Sequence, residues 1–152
     1  MDRQKSDPVT ILLVDDDSAV CFAVGMGLVM RGFAVVEAYS ADDAMRVCLT
    51  HNVRIEAAVI DLEMPKMWGH ELGNRMRTVL PDIPIVYISG HSREQMLNRG
   101  ILTGADPFFE KPFKFDDLAT RLRELLGQVQ IDTTHRAGAR SDPATSTHPH
   151  AD

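Results

Sequence analysis

Short apolar runs alternate with longer segments of helical periodicity along most of this chain. The apolar runs are continuous, as expected for strands that are buried on both faces of a parallel sheet. Five runs of strand length are found at residues 9–14, 33–38, 55–60, 85–88 and 105–110. Each run precedes a predicted helix, at residues 17–31, 40–50, 68–79, 92–99 and 115–126. The pattern therefore predicts five strand–helix units.

This repeated alternation is typical of an α/β fold, with helices on both faces of a doubly wound open sheet. In such sheets, ligands bind outside the carboxyl ends of the strands. Polar side chains stand at several of these ends, and one lysine directly follows the last strand. They are Asp15, Asp16, Asp61, Ser89 and Lys111. The sequence therefore predicts a single site at this edge of the sheet.

Three carboxylates at one sheet edge repel each other, so they remain ionised together only around a cation. Oxygen ligands in an open, hydrated site favour Mg²⁺. A carboxylate beside such an ion can also act as a nucleophile toward phosphorus, as in aspartyl-phosphate chemistry. The ammonium of Lys111 and the hydroxyl of Ser89 would then stabilise the charge on the phosphoryl oxygens.

Composition narrows the range of functions. A chain of 152 residues suffices for one domain with a real core. The formal net charge of −6 argues against binding nucleic acid through a basic surface. The chain contains neither an apolar run of membrane-spanning length nor the apolar core of a secretory signal, so we expect a cytoplasmic protein. We expect Cys21 and Cys48 to be reduced, packed thiols.

The organisation along the chain is predicted from changes in composition. Residues 1–8 form a polar N-terminal lead, and residues 9–127 form the domain, which Gly127 closes. Residues 128–152 are rich in Thr, Ala, Ser, Pro and Asp and contain few large apolar side chains. Such a segment buries too little surface to offset its chain entropy, so a disordered C-terminal tail is predicted.

Four segments together resemble the receiver domain of two-component response regulators in their order and spacing. They are ILLVDDD, AAVIDLEMPKMWG, IPIVYISG and GADPFFEKPF. The resemblance covers residues 9–127. It implies a flavodoxin-like, doubly wound, five-stranded parallel sheet with strand order 2-1-3-4-5.

The resemblance also assigns roles to the residues of the site. It implies that Asp61 accepts a phosphoryl group from the phosphohistidine of a histidine kinase or a phosphotransfer protein. Ser89 and Lys111 would hold the phosphoryl oxygens, and the Lys111–Pro112 bond is expected to be cis. Mg²⁺ would be bound by Asp16, by Asp61, by the backbone carbonyl of Glu63 and, through water, by Asp15.

The same resemblance implies a two-state switch. Phosphorylation would draw Ser89 toward the new oxygens and an aromatic side chain inward, changing the surface formed by the fourth helix, fifth strand and fifth helix. The matching aromatic residue is Phe108, where the family often has tyrosine, so a switch based on a tyrosine hydroxyl is put in doubt. Glu63 and His91 occupy positions that tune hydrolysis of the aspartyl phosphate, and a solvated loop histidine is the alternative for His91.

The first predicted helix is apolar almost all round, whereas a surface helix normally has a polar face. We expect Cys21, Phe22, Met26 and Val29 to face outward. The hypothesis is that Phe22, Met26 and Val29 dock the helical bundle of a histidine kinase or phosphotransfer protein. A homodimer contact and a tolerated apolar surface are the alternatives.

Three functions are compared. The first is a signalling switch that catalyses its own phosphorylation and slow dephosphorylation but is not a turnover enzyme. The second is a degenerate receiver that only binds proteins, and the intact set of site residues argues against it. The third is a Mg²⁺-dependent aspartyl-phosphate phosphatase, which requires a second aspartate where this chain has Glu63. We expect the protein to bind neither a membrane nor nucleic acid directly. The chain is consistent with a stand-alone receiver or with the receiver of a hybrid kinase.

Overall fold

The computed structural model describes residues 7–50 and 52–139, with side chains described up to residue 129. Five parallel strands form one sheet in the order β2-β1-β3-β4-β5, which confirms the predicted strand order. The strands are β1 Thr10–Val14, β2 Ala34–Ala38, β3 Ala57–Asp61, β4 Ile85–Ser89 and β5 Phe108–Glu110. The helices are α1 Ser18–Val29, α2 Ala41–Leu49, α3 Gly69–Val79, α4 Arg93–Asn98 and α5 Phe115–Ala139.

Each face of the sheet carries its own apolar core. Side chains of α1 and α5 pack on one face, including Leu28 and Leu118. Side chains of α2, α3 and α4 pack on the other, including Leu72 and Met96. Strand residues alternate between these two cores, which explains why the strand sequences are continuously apolar.

Local polar contacts determine where several helices begin and end. The Asp17 carboxylate accepts hydrogen bonds from the amides of Ala19 and Val20 and so caps the beginning of α1. Ser92 caps α4 and forms a reciprocal capping box with Gln95. Gly32 follows α1 with φ +91°, a backbone conformation that favours glycine.

The last helix is longer than predicted. Gly127 was expected to end it, but α5 continues to Ala139, so the helix enters the segment that was predicted as the C-terminal tail. A glycine inside a helix costs only about 1 kcal/mol relative to alanine. The rest of the predicted tail, residues 140–152, lies outside the described residues, as do residues 1–6 of the predicted lead.

Two smaller corrections concern β5 and Cys21. The fifth strand was expected from residue 105, but a turn precedes it in which the Thr103 amide donates to the Asp106 carboxylate. Cys21 was expected to face outward, yet it is fully buried and its thiol donates to the Asp15 carbonyl at 3.4 Å. Among the described residues, no helix is long and apolar enough to cross a membrane.

Candidate functional site

The sheet brings two carboxylates together at its carboxyl edge. Strands β1 and β3 are neighbours, with Val14 opposite Ile60, so the residues that follow this pair, Asp15 and Asp61, lie side by side. Both are almost completely buried, with 1% and 5% of their surface exposed. Burial of two like charges is unfavourable unless a positive charge compensates it.

Lys111 supplies that positive charge from the other side of β4. Its backbone amide donates to the Ser89 carbonyl at 2.8 Å, which fixes the chain just after β5. Its Nζ atom lies 3.0 Å from Oδ2 of Asp15 and 3.2 Å from Oδ2 of Asp61. The Lys111–Pro112 bond is cis, as expected. The direct contact with Asp15 was not predicted, because it depends on side-chain rotamers that no periodicity in the sequence specifies.

Electrostatics at this pair reflect burial and mutual proximity. Burial raises the pKa of Asp61 to about 6, the nearby charge of Asp15 adds to this, and hydrogen bonds from the Glu63 amide and Lys111 oppose it. Burial alone would lower the pKa of Lys111, but its contacts with Asp15 and Asp61 outweigh that effect and raise it. Lys111 is therefore a positively charged hydrogen-bond donor at neutral pH.

A third carboxylate borders this pair on the solvent side. One oxygen from each of Asp15, Asp16 and Asp61 lies within 4.8 Å of the others, and Asp16 is exposed. The donor set is hard and anionic with one open side, which fits a hydrated divalent cation such as Mg²⁺. Asp17 does not belong to this group, because its carboxylate caps α1.

Glu63 links the two loops above the carboxylates. Its Oε1 atom lies 2.7 Å from Nε2 of His91 and accepts a longer hydrogen bond, 3.5 Å, from the Ser89 hydroxyl. Ser89 is fully buried and its Oγ also accepts from the His91 amide at 3.0 Å. The structure therefore brings Glu63, Ser89 and His91 together, a contact that spacing alone did not predict.

Gly69 was also missed by sequence reasoning. A Cβ atom at this position would lie 2.2 Å from the backbone carbonyl oxygen of Asp61. Only glycine lets the first turn of α3 approach the end of β3 so closely. The sequence feature that could have identified this close approach is a glycine at the start of the predicted third helix, directly after Trp68.

The remaining predicted residues lie away from the carboxylates. Phe108 is partly buried, pairs with Tyr87 across the sheet and packs on the core beneath α2–α4. Phe22, Met26 and Val29 are exposed by 66%, 46% and 50% on the outer face of α1, as expected. Met30, which was not predicted, extends this apolar face one turn from Met26.

Comparison with known proteins places these features in a family. Residues 11–123 match the family described as the response regulator receiver domain. A curated relative, the response regulator MprA of Mycobacterium sp. (strain KMS), is 34% identical over 125 residues. The match covers 82% of this chain and 54% of MprA, so the chain spans about half the length of that relative.

Solved structures agree with this match. A response regulator receiver protein from Sinorhizobium medicae WSM419 is 29% identical, with a TM-score of 0.70 and coverage of 81% of this chain and 98% of that one. The receiver domain of the hybrid histidine kinase CckA is 27% identical, with a TM-score of 0.64 and coverage of 77% and 98%. Both are similar to this chain over nearly their whole length.

Proposed function

Because this chain belongs to the response regulator receiver family, we propose that it is a phosphorylation-dependent signalling switch whose phosphoacceptor is Asp61. Receiver domains of this family act as signalling switches rather than turnover enzymes. The observation that carries the assignment is Lys111 Nζ, held between the buried carboxylates of Asp15 and Asp61 at the carboxyl edge of the sheet.

In the proposed transfer, one carboxylate oxygen of Asp61 attacks the phosphorus of a phosphohistidine. An O–P bond forms, the N–P bond breaks, and the imidazole leaves with its electron pair and takes up a proton. Lys111 donates to the phosphoryl oxygens and offsets their charge. Ser89, which is fully buried beside the site, donates its hydroxyl to the same group.

Mg²⁺ would supply charge neutralisation for the phosphoryl oxygens. The three clustered carboxylates support its binding here. Asp16 and Asp61 would be direct ligands together with the backbone carbonyl of Glu63, and Asp15 would act through water. This arrangement leaves Asp15 available to Lys111.

Switching would begin at Ser89. To reach a phosphoryl group, its hydroxyl must leave Glu63, and that contact is already long at 3.5 Å. Phe108 would then move inward and change the surface of α4, β5 and α5. Phenylalanine has no hydroxyl, so this movement would depend on packing alone.

Glu63 and His91 would control the lifetime of the aspartyl phosphate. Their 2.7 Å contact crosses the two loops through which a hydrolytic water would enter. An ordered bridge here would either exclude that water or orient it, and both effects act on the rate of hydrolysis rather than on phosphotransfer.

Receiver domains interact with histidine kinases or phosphotransfer proteins. We propose that such a partner docks its helical bundle on Phe22, Met26 and Val29, with a homodimer contact as the alternative. We further propose a cytoplasmic location, no direct nucleic-acid contact and a domain that comprises residues 9–127.

The alternatives differ in their predicted chemistry. A degenerate receiver would only bind proteins, but the complete set of Asp16, Asp61, Ser89 and Lys111 favours phosphorylation. A phosphatase that uses an aspartyl phosphate would require a second catalytic aspartate at the position of Glu63.

The direct test is the intact mass of the protein after incubation with Mg²⁺ and acetyl phosphate. We expect wild type to gain one phosphoryl group and Asp61→Asn to gain none, because the amide is a poor nucleophile. Phosphorylation of Asp61→Asn to the wild-type extent would place the acceptor elsewhere. No gain in either protein, with acetyl phosphate and with a phosphorylated histidine kinase, would favour the degenerate receiver.

A further inference from the structure

A cavity of about 370 Å³ lies at the amino edge of the sheet, opposite the carboxylates of the candidate site. Its lining includes the residues just before three strands: Val9 before β1, Glu56 before β3 and Pro84 before β4. Its volume is within the range of protein sites that hold a ligand. The function proposed for Asp61 does not use this end of the molecule.

The walls of this cavity are mainly apolar. They come from the end of α3, from the turn that follows it and from α5. Val129 belongs to the α5 wall and lies beyond Gly127, so this wall depends on the continuation of the helix past the glycine. The buried side chains of Ile55 and Ile83 also line the cavity. An occupant would therefore cover apolar surface.

The charged groups at the cavity favour a positively charged occupant. Among the described lining residues, the carboxylates of Glu56 and Asp82 stand against the single guanidinium of Arg54. The Oε2 atom of Glu56 accepts from the Thr10 amide at 3.0 Å, which holds this carboxylate in place. In addition, α3 ends here at Val79, and the carboxyl end of a helix carries a partial negative charge. The complementary occupant is a cation on an apolar stem.

Residues 1–6, which precede the described part of the chain, have the composition that this cavity requires. They read MDRQKS, with two cations, Arg3 and Lys5, and one acid, Asp2. Lysine and arginine side chains place their aliphatic stems on apolar surface while the charged group reaches a polar partner. Only two residues separate this segment from Val9, which itself lines the cavity. Six residues reach about 20 Å when extended, which suffices to cross a cavity of this volume.

We propose that residues 1–6 occupy this cavity, with Arg3 and Lys5 directed at the carboxylates of Glu56 and Asp82. Because the segment is joined to the edge of the cavity, its effective concentration there is high, and the contact requires no second molecule. The occupied cavity would join the start of β1 to the turn after α3 and hold the end of α5 against that turn. The contact does not depend on phosphorylation.

The test is paramagnetic relaxation in the full chain, with a nitroxide attached to Gln4→Cys. The label replaces an uncharged residue between the two cations, and both native thiols are buried, so the label is attached at one position. We expect the nitroxide to reduce amide NMR intensities at least twofold at Leu80, Ile83 and Leu126, relative to the chemically reduced label. Amides at the carboxyl edge of the sheet, such as that of His91, should keep their intensities.

Asp82→Lys, in the Gln4→Cys background, reverses one charge of the cavity at an exposed position, so it should fold. We expect it to reduce the intensity losses at the cavity by at least half. Arg3→Glu combined with Lys5→Glu should do the same from the other side of the contact. Asp42→Lys is the matched control, since Asp42 is also an exposed aspartate but lies in the first turn of α2. It should keep the losses unchanged.

Three outcomes would overturn the proposal. If no amide at the cavity loses intensity, residues 1–6 do not occupy it. If Asp82→Lys and Asp42→Lys show the same losses as Gln4→Cys alone, the segment only passes near the cavity and its charge does not hold it there. If isotope-enriched protein without nitroxide loses intensity when mixed with nitroxide-labelled protein of natural abundance, the occupant belongs to a second copy of the chain. The function proposed for Asp61 stands in each case.

Discussion

At the scale of single residues, Lys111 is the positive charge that partly neutralises the site. One ammonium faces two buried carboxylates, so the site retains negative charge that only a further cation can balance. The alignment of polar residues at strand ends predicted which side chains meet. It did not predict the Lys111–Asp15 and Glu63–His91 contacts, because these depend on rotamers and on loop positions that no periodicity specifies.

The excess negative charge should reduce the stability of the metal-free protein. Burial raises the pKa of Asp61 to about 6, so at neutral pH its charge costs more free energy in the folded protein than in the unfolded chain. Asp61→Asn removes one charge, keeps the side-chain volume and leaves the Lys111–Asp15 pair intact. We expect it to raise the free energy of unfolding by about 1–3 kcal/mol at pH 7 without Mg²⁺, as measured by urea denaturation. A lower stability than wild type would show that Lys111 already balances the negative charge of Asp61 in the metal-free protein.

At the scale of elements, α1 combines three functions in twelve residues. Its beginning is joined to the carboxylate cluster, and its inner face packs on the sheet and α5. Its outer face is the exposed apolar surface of Phe22, Met26, Val29 and Met30, which we call the α1 stripe. The absence of a polar face was visible in the sequence. The inward position of Cys21 was not, because an all-apolar helix has no periodicity from which to assign a buried side. Likewise, Gly127 resembled a stop signal, but α5 passes through it.

The α1 stripe should matter for partners and not for folding. Phe22 is 66% exposed, so Phe22→Ser should change the free energy of unfolding by no more than about 0.5 kcal/mol. We expect it to slow phosphotransfer from a histidine kinase or phosphotransfer protein by at least tenfold, since a central aromatic contact of an interface contributes about 2 kcal/mol or more. The measurement is the rate of transfer of labelled phosphate.

Leu49→Ser provides the control, because Leu49 is similarly exposed at 58% but lies at the end of α2. It should leave the transfer rate unchanged. Equal rates for wild type and both variants would remove the α1 stripe from partner binding, whereas equal losses in both variants would indicate a general effect of surface polarity.

At the scale of the whole molecule, the site lies at one edge of the sheet and receives residues from β1, β3 and β4 and from the end of β5. The doubly wound class was predictable because strand–helix alternation and continuous apolar strands leave few arrangements. The strand order 2-1-3-4-5 was implied by the resemblance to receiver domains. The chain spans about half the length of its curated relative MprA.

Binding of Mg²⁺ to this edge should stabilise the entire fold, because a ligand that binds only the folded state shifts the unfolding equilibrium. At a free Mg²⁺ concentration of 100 times the dissociation constant, the expected gain is about 2.7 kcal/mol. Asp16→Asn should lose most of this gain in thermal unfolding with and without Mg²⁺.

Asp17→Asn serves as the comparison, since asparagine caps a helix as well as aspartate does. It removes an adjacent carboxylate that caps α1, so the Mg²⁺ response should persist. Loss of the response in both variants, or in neither, would contradict the assignment of Asp16 as a ligand.

The burial of both cysteines has a practical consequence for chemical labelling. Burial raises the pKa of Cys21 to about 12, with the Asp15 charge adding to the effect, and burial also raises the pKa of Cys48. Thiolates are the reactive species, so neither native thiol should compete for an alkylating fluorophore while the protein is folded. A single cysteine introduced at an exposed position, as in Val29→Cys, would carry the dye alone and report directly on the outer face of α1.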